Sequence, residues 1–130
     1  MKKGKSYKFQ NIIFDLDGTL IDSSRGVLSS LDQICLENNI EIERPILKKI
    51  IGPPLRETLL RLTKIDDERS IDHLMNCFKL EYDSNGYKDT IVFEGINRML
   101  SSLYDNGINL YIATNKRKNP TNKIINMLTW

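Results

Sequence analysis

The stretch Asn11-Ile12-Ile13-Phe14-Asp15-Leu16-Asp17-Gly18-Thr19-Leu20 decides how the chain is read. A short apolar run with two isoleucines, closed by Asp-Leu-Asp-Gly, predicts a buried strand that ends in a turn. Two carboxylates two residues apart on extended backbone project to the same side. They stand at the carboxyl end of the strand, where open α/β sheets place ligands. Gly18 permits the sharp turn that follows. Close carboxylates repel each other, so a cation between them is favoured, and an oxygen-only pair suits Mg²⁺. Asp15, on the strand end, is placed to attack an electrophile. Asp17, one step out, is placed to give and take a proton.

Outward from this stretch, Ile108 to Ala113 predicts a second strand, followed by Thr114-Asn115-Lys116. The hydroxyl of Thr114 and the amide of Asn115 can donate hydrogen bonds to phosphate oxygens. Before that strand, Ile96, Met99, Leu100 and Leu103 fall at helical spacing, and Gly107 stands where a C-terminal cap belongs. Helix, tight turn and strand make half of a parallel α/β unit. The region from Asp22 to Asp89 reads as helices. Val27, Leu28, Leu31, Ile34 and Cys35 form one apolar stripe. Pro45 opens a second helix ending before Gly52, and Pro54 a third with Leu55, Leu59 and Leu62. Asp66 caps a fourth with Ile71, Leu74, Met75 and Phe78. Asn119 caps a last helix with Pro120 in its first turn.

Composition excludes several classes. The chain has 130 residues, 40% apolar and 28% charged, which fits one domain, or one small domain with an insertion. A net charge of +2 gives no case for nucleic acid or an anionic membrane as partner. No apolar run approaches the ~20 residues of a spanning helix. Cys35 and Cys77 show neither metal-type spacing nor a disulfide framework, and read as thiols on apolar helix faces in a reducing cytoplasm. The basic start, Met1 to Lys5, is similar to the head of a signal peptide. The apolar run after it is cut at once by Asp15 and Asp17, so it reads as a solvated tail. Lys116-Arg117-Lys118 reads as a wet basic face, Arg56 as a residue of a solvated helix face, and His73, the single histidine, as an ordinary helix residue.

The two segments together resemble the haloacid dehalogenase-like hydrolase superfamily. Its first motif, Asp-x-Asp-Gly-Thr, is matched by Asp15-Leu16-Asp17-Gly18-Thr19, and its second by Thr114 after an apolar strand. Thr114-Asn115-Lys116 and the segment Ile51-Gly52-Pro53-Pro54-Leu55 are similar to the phosphoglycolate phosphatase-like branch. The resemblance implies an α/β fold: a partial Rossmann-like parallel sheet core, residues 1–21 and 90–130, with an inserted all-helical cap, residues 22–89. It implies Asp15 as nucleophile, forming an aspartyl-phosphate, and Asp17 as the acid and base. Mg²⁺ would be held by the Asp15 side chain and the Asp17 main-chain carbonyl. Thr114 and Asn115 would bind the phosphoryl group, and Gly52 would face the substrate from the cap. The second Asp points to phosphate esters.

The family has two further motifs, a Lys and an acidic pair. Sixteen residues follow Thr114, and no acidic residue follows Asp105. The expectation is a chain truncated after the second motif, weak or inert as a phosphatase acting on a small phosphorylated metabolite. The alternative is a non-catalytic remnant that serves as an interaction or phosphate-binding subunit. A strand edge left without its neighbour is expected to favour self-association.

Overall fold

The computed structural model describes residues 6–130. The basic start, Met1 to Lys5, lies outside them. The described chain forms two compact units, one up to Asp22 with Ile91–Lys116, the other Ser23–Thr90 with Arg117–Trp130. The contacts group the last helix with the helical unit, whereas the sequence reading grouped residues 117–130 with the strands.

In the first unit, β1 (Asn11–Phe14) pairs in parallel with β4 (Asn109–Ile112). The register sets Asn11 opposite Asn109 and Phe14 opposite Ile112. The connection into β4 is α4 (Ile96–Asp105) and a tight turn at Gly107, whose φ is +79°. The amide of Ile108 closes that turn on the Leu103 carbonyl at 3.1 Å. This is the predicted helix, glycine cap and strand, with the strand starting one residue later at Asn109. A second, antiparallel pair joins β2 (Ile21–Asp22) to β3 (Ile91–Val92). Two residues carry no periodicity, so the sequence gives these strands no signal.

The helical unit contains α1 (Ser24–Glu37), α2 (Leu55–Thr63), α3 (Glu68–Ser84) and α5 (Lys118–Leu128). Its core is Leu31, Ile34, Cys35, Leu59, Ile71, Leu74, Phe78 and Tyr82. All but Tyr82 belong to the stripes read from the sequence, and Tyr82 stacks on Phe78 at 5.8 Å between ring centroids. Where α1 passes the 3₁₀ turn Gly86–Asp89, a Cβ on Gly26 would lie 2.0 Å from the Gly86 carbonyl oxygen. Backbone touches backbone there, and no side chain fits between.

Three helix starts differ from expectation. The segment opened by Pro45 forms only a 3₁₀ turn, Lys48–Ile50. The six residues between Pro45 and Gly52 are too few to repay helix nucleation. Asp67, one residue later than expected, caps α3 by accepting from the Ser70 amide at 2.9 Å. α5 starts at Lys118, because Asn119 turns its side chain to the Asp83 carboxylate, 3.4 Å away, instead of capping. No helix among the described residues is long and apolar enough to cross a membrane.

Candidate functional site

Asp15 follows Phe14 directly, and Thr114 stands two residues past Ile112. Both therefore leave the carboxyl ends of paired parallel strands, with the ladder still closed by Ala113 N–H donating to Phe14 O at 2.9 Å. The turn after Asp15 is held by one carbonyl. Leu16 O accepts from the amides of Thr19, Leu20 and Ile21 at 3.1, 2.9 and 3.3 Å. Gly18 sits at φ +78° and donates to Ile21 O at 2.8 Å. Leu16, Leu20 and Ile21 are fully or almost fully buried, which anchors the turn from below and leaves Asp15 exposed at its mouth. Thr19 Oγ1 donates to Asp15 Oδ2 at 3.3 Å.

The second segment is ordered by its own hydroxyl. Thr114 Oγ1 accepts from the Lys116 amide at 3.1 Å, so its hydrogen remains available to donate outward. That turn carries the Lys116 side chain to Asp17, where Nζ donates to both carboxylate oxygens at 3.2 and 3.1 Å. The ammonium is nearly buried, with 10% of its side chain exposed against 37% for Asp17. Lys116 thus ties the two motifs together across 99 residues.

Arg117 and Lys118 of the basic run are exposed, as expected, but Lys116 is not. Lys116 pairs with Asp17, and Arg117 holds Asp83 through two hydrogen bonds of 2.8 and 2.6 Å within the helical unit. Neither acid lies near these basic residues in sequence, so composition alone could not reveal the pairing. The spacing Thr-x-Lys after a strand was the available signal. Arg56 lies on exposed α2 surface and pairs with Asp72. Asn115 is exposed beside Thr114. Gly52 lies in the helical unit at φ +135°, a backbone conformation that by itself asks for glycine.

Of the candidate metal donors, the Asp15 carboxylate and the Asp17 main-chain carbonyl are hard oxygens of the kind Mg²⁺ takes. The Asp17 carboxylate is engaged by Lys116, which fits a ligand role for its carbonyl. Among the described residues no cluster of three or more acidic, histidine or cysteine side chains could hold a metal.

The chain is similar to several known proteins. Tyrosine-protein kinase PtkA of Mycobacterium tuberculosis is 32% identical over 117 residues, covering 89% of this chain and 39% of its own. Phosphoglycolate phosphatase of Aquifex aeolicus is 30% identical over 118 residues, covering 90% and 54%. A solved haloacid dehalogenase-like family hydrolase of Streptococcus pneumoniae superposes with a TM-score of 0.75 at 26% identity, over 92% of this chain and 56% of that one. The chain thus spans about two fifths to a little over half the length of these relatives. The likeness supports an α/β fold of the Rossmann-like kind with a helical cap. The model of the haloacid dehalogenase-like hydrolases matches residues 12–130, from the first strand through both motifs to the last residue, and so the chain belongs to that family.

Proposed function

We propose that the site performs phosphoryl transfer from a small phosphorylated metabolite to Asp15, in the manner of a phosphoglycolate phosphatase-like enzyme. The observation that carries this reading is the register of β1 and β4, which gives Asp15 and Thr114 neighbouring strand ends. Asp15 Oδ attacks phosphorus, the ester oxygen leaves, and Asp17 gives that oxygen a proton. Water activated by Asp17 then attacks the aspartyl-phosphate and releases inorganic phosphate. The Thr114 hydroxyl and the Asn115 amide donate to the phosphoryl oxygens. Mg²⁺, held by Asp15 and the Asp17 carbonyl, would offset the charge gathered on those oxygens. Lys116 orients Asp17 and adds positive charge next to it.

Two free cysteines agree with a reducing compartment, the cytoplasm. The test is hydrolysis of an aryl phosphate by the purified chain with Mg²⁺, against Asp15→Asn. A metal-dependent rate lost in the variant is expected. A folded chain whose rate equals that of Asp15→Asn overturns the enzymatic reading.

A further inference from the structure

At one of the points where the chain passes between its two units, the connecting peptide is that of Lys116 and Arg117. The residues on both sides of this bond are held by acids. Lys116 Nζ holds the Asp17 carboxylate in the strand unit. Arg117 is held in the helical unit at main chain and side chain alike. It is the N-cap residue of α5, and its carbonyl accepts from the Thr121 amide at 3.2 Å and from Thr121 Oγ1 at 2.8 Å. Its guanidinium grips both oxygens of the Asp83 carboxylate, a fork geometry that suits arginine and not lysine. Asp83 stands near the end of α3 and is the more buried partner, with 14% of its side chain exposed against 40% for Arg117. It is fixed in turn from α5. Asn119 Nδ2 approaches its Oδ2 at 3.4 Å, and Lys123 Nζ donates to its main-chain carbonyl.

We propose that Asp83 is a positioning residue for Lys116: by anchoring Arg117 it fixes the peptide that carries Lys116, and so keeps the ammonium on Asp17. The balance of costs favours an anchor of this kind. A lysine side chain gives up much rotamer freedom when its ammonium is held at one point, and a pair with a partly solvated acid returns little. Asp17 is such an acid, with 37% of its side chain exposed. The pair therefore depends on a backbone that is fixed beforehand. On the strand side, Thr114 Oγ1 accepts from the Lys116 amide and does part of this. The residue after Lys116 supplies the rest. Its tie to Asp83 is two charge-assisted bonds on a carboxylate largely shielded from water. Asp83 acts only through the chain, by way of Arg117.

Any consequence for turnover rests on the phosphoryl-transfer reading; the placement of Lys116 does not, and its test contains no substrate. The ¹⁵N-labelled full chain is observed by NMR at the side-chain ammonium of Lys116, whose signal is assigned by its loss in Lys116→Met. Its hydrogens exchange slowly with water in the wild type, because the group is nearly buried and paired. Exchange is expected to speed up about 3- to 5-fold in Asp83→Ala and equally in Arg117→Gln, the weight of an ion pair of this exposure. The double variant is no faster than either single one. Asp83→Glu, which keeps the carboxylate, keeps the rate slow. Arg117→Gln alters an exposed residue and carries the test alone where Asp83→Ala does not fold. Ile71→Val is the control: it loosens the buried helical core without touching Asp83 or Arg117, and leaves the rate unchanged. An unchanged rate in Arg117→Gln, additive effects in the double variant, or an equal acceleration in Ile71→Val overturns the proposal.

Discussion

The two units differ in where they put their apolar residues. The helical unit closes eight of them into one core, with Leu31, Ile34, Leu59 and Ile71 fully excluded from solvent. The strand unit has a two-stranded parallel sheet whose register partners Ile13 and Tyr111 remain 69% and 53% exposed. Parallel sheets are ordinarily covered on both faces. The difference teaches that the closed apolar core and the candidate site belong to separate parts of this chain. The helices hold themselves together by packing. The strand ends are held by hydrogen bonds at the Leu16 carbonyl and by the Lys116–Asp17 pair.

Substitutions sharpen this contrast. Leu59→Ala opens a cavity in the helical core and is expected to cost about 2–5 kcal/mol in denaturant unfolding, whereas Ile13→Ala changes stability by less than ~0.5 kcal/mol. Equal effects would erase the distinction between the units. Gly26→Ala drives a methyl into the Gly86 carbonyl and is expected to cost about 1–3 kcal/mol, read as a lower denaturant midpoint.

Smaller effects test the strand unit and the caps. Lys116→Met removes the tie between the motifs. We expect a loss of about 1 kcal/mol, since Asp17 is partly solvated. Any aryl phosphatase rate falls with it. We propose that the exposed sheet face, with outer edges of β1 and β4 that pair with no other strand among the described residues, favours self-association of the chain. Sedimentation should show a concentration-dependent species that Ile13→Lys weakens, and a monomer at every concentration would exclude it. The smallest effect is at the α3 cap. Hydrogen bonds from the Ser70 hydroxyl and amide hold the Asp67 carboxyl below the usual carboxylate range. Its contribution is therefore full above the ordinary Asp value and is lost as pH falls through the lowered one. Asp67→Ala should lower stability at neutral pH and leave the value at strongly acidic pH unchanged.

Most of the fold was legible because it is periodic. The stripes of α1, α2 and α3 and the glycine cap before β4 follow from local spacing. What was illegible depends on partners distant in sequence. β2 and β3 exist only because each pairs with the other. Asn119 abandons its cap for Asp83, and Lys116 and Arg117 pair with acids 99 and 34 residues away. At the candidate site, the strand-end positions of Asp15 and Thr114 were readable from the apolar runs that precede them. Lys116 was not, since a basic run looks the same whether it is solvated or paired.

The central claim is that Asp15, Thr114 and their turns form one receptacle for a phosphoryl group. Titration of the ¹⁵N-labelled chain with inorganic phosphate and Mg²⁺, followed by amide NMR, tests it most directly. The account predicts shifts that saturate together at the amides of Asp15, Gly18, Thr114 and Asn115 and vanish in Thr114→Val. Shifts at one of the two segments without the other, or shifts unchanged in Thr114→Val, would contradict it.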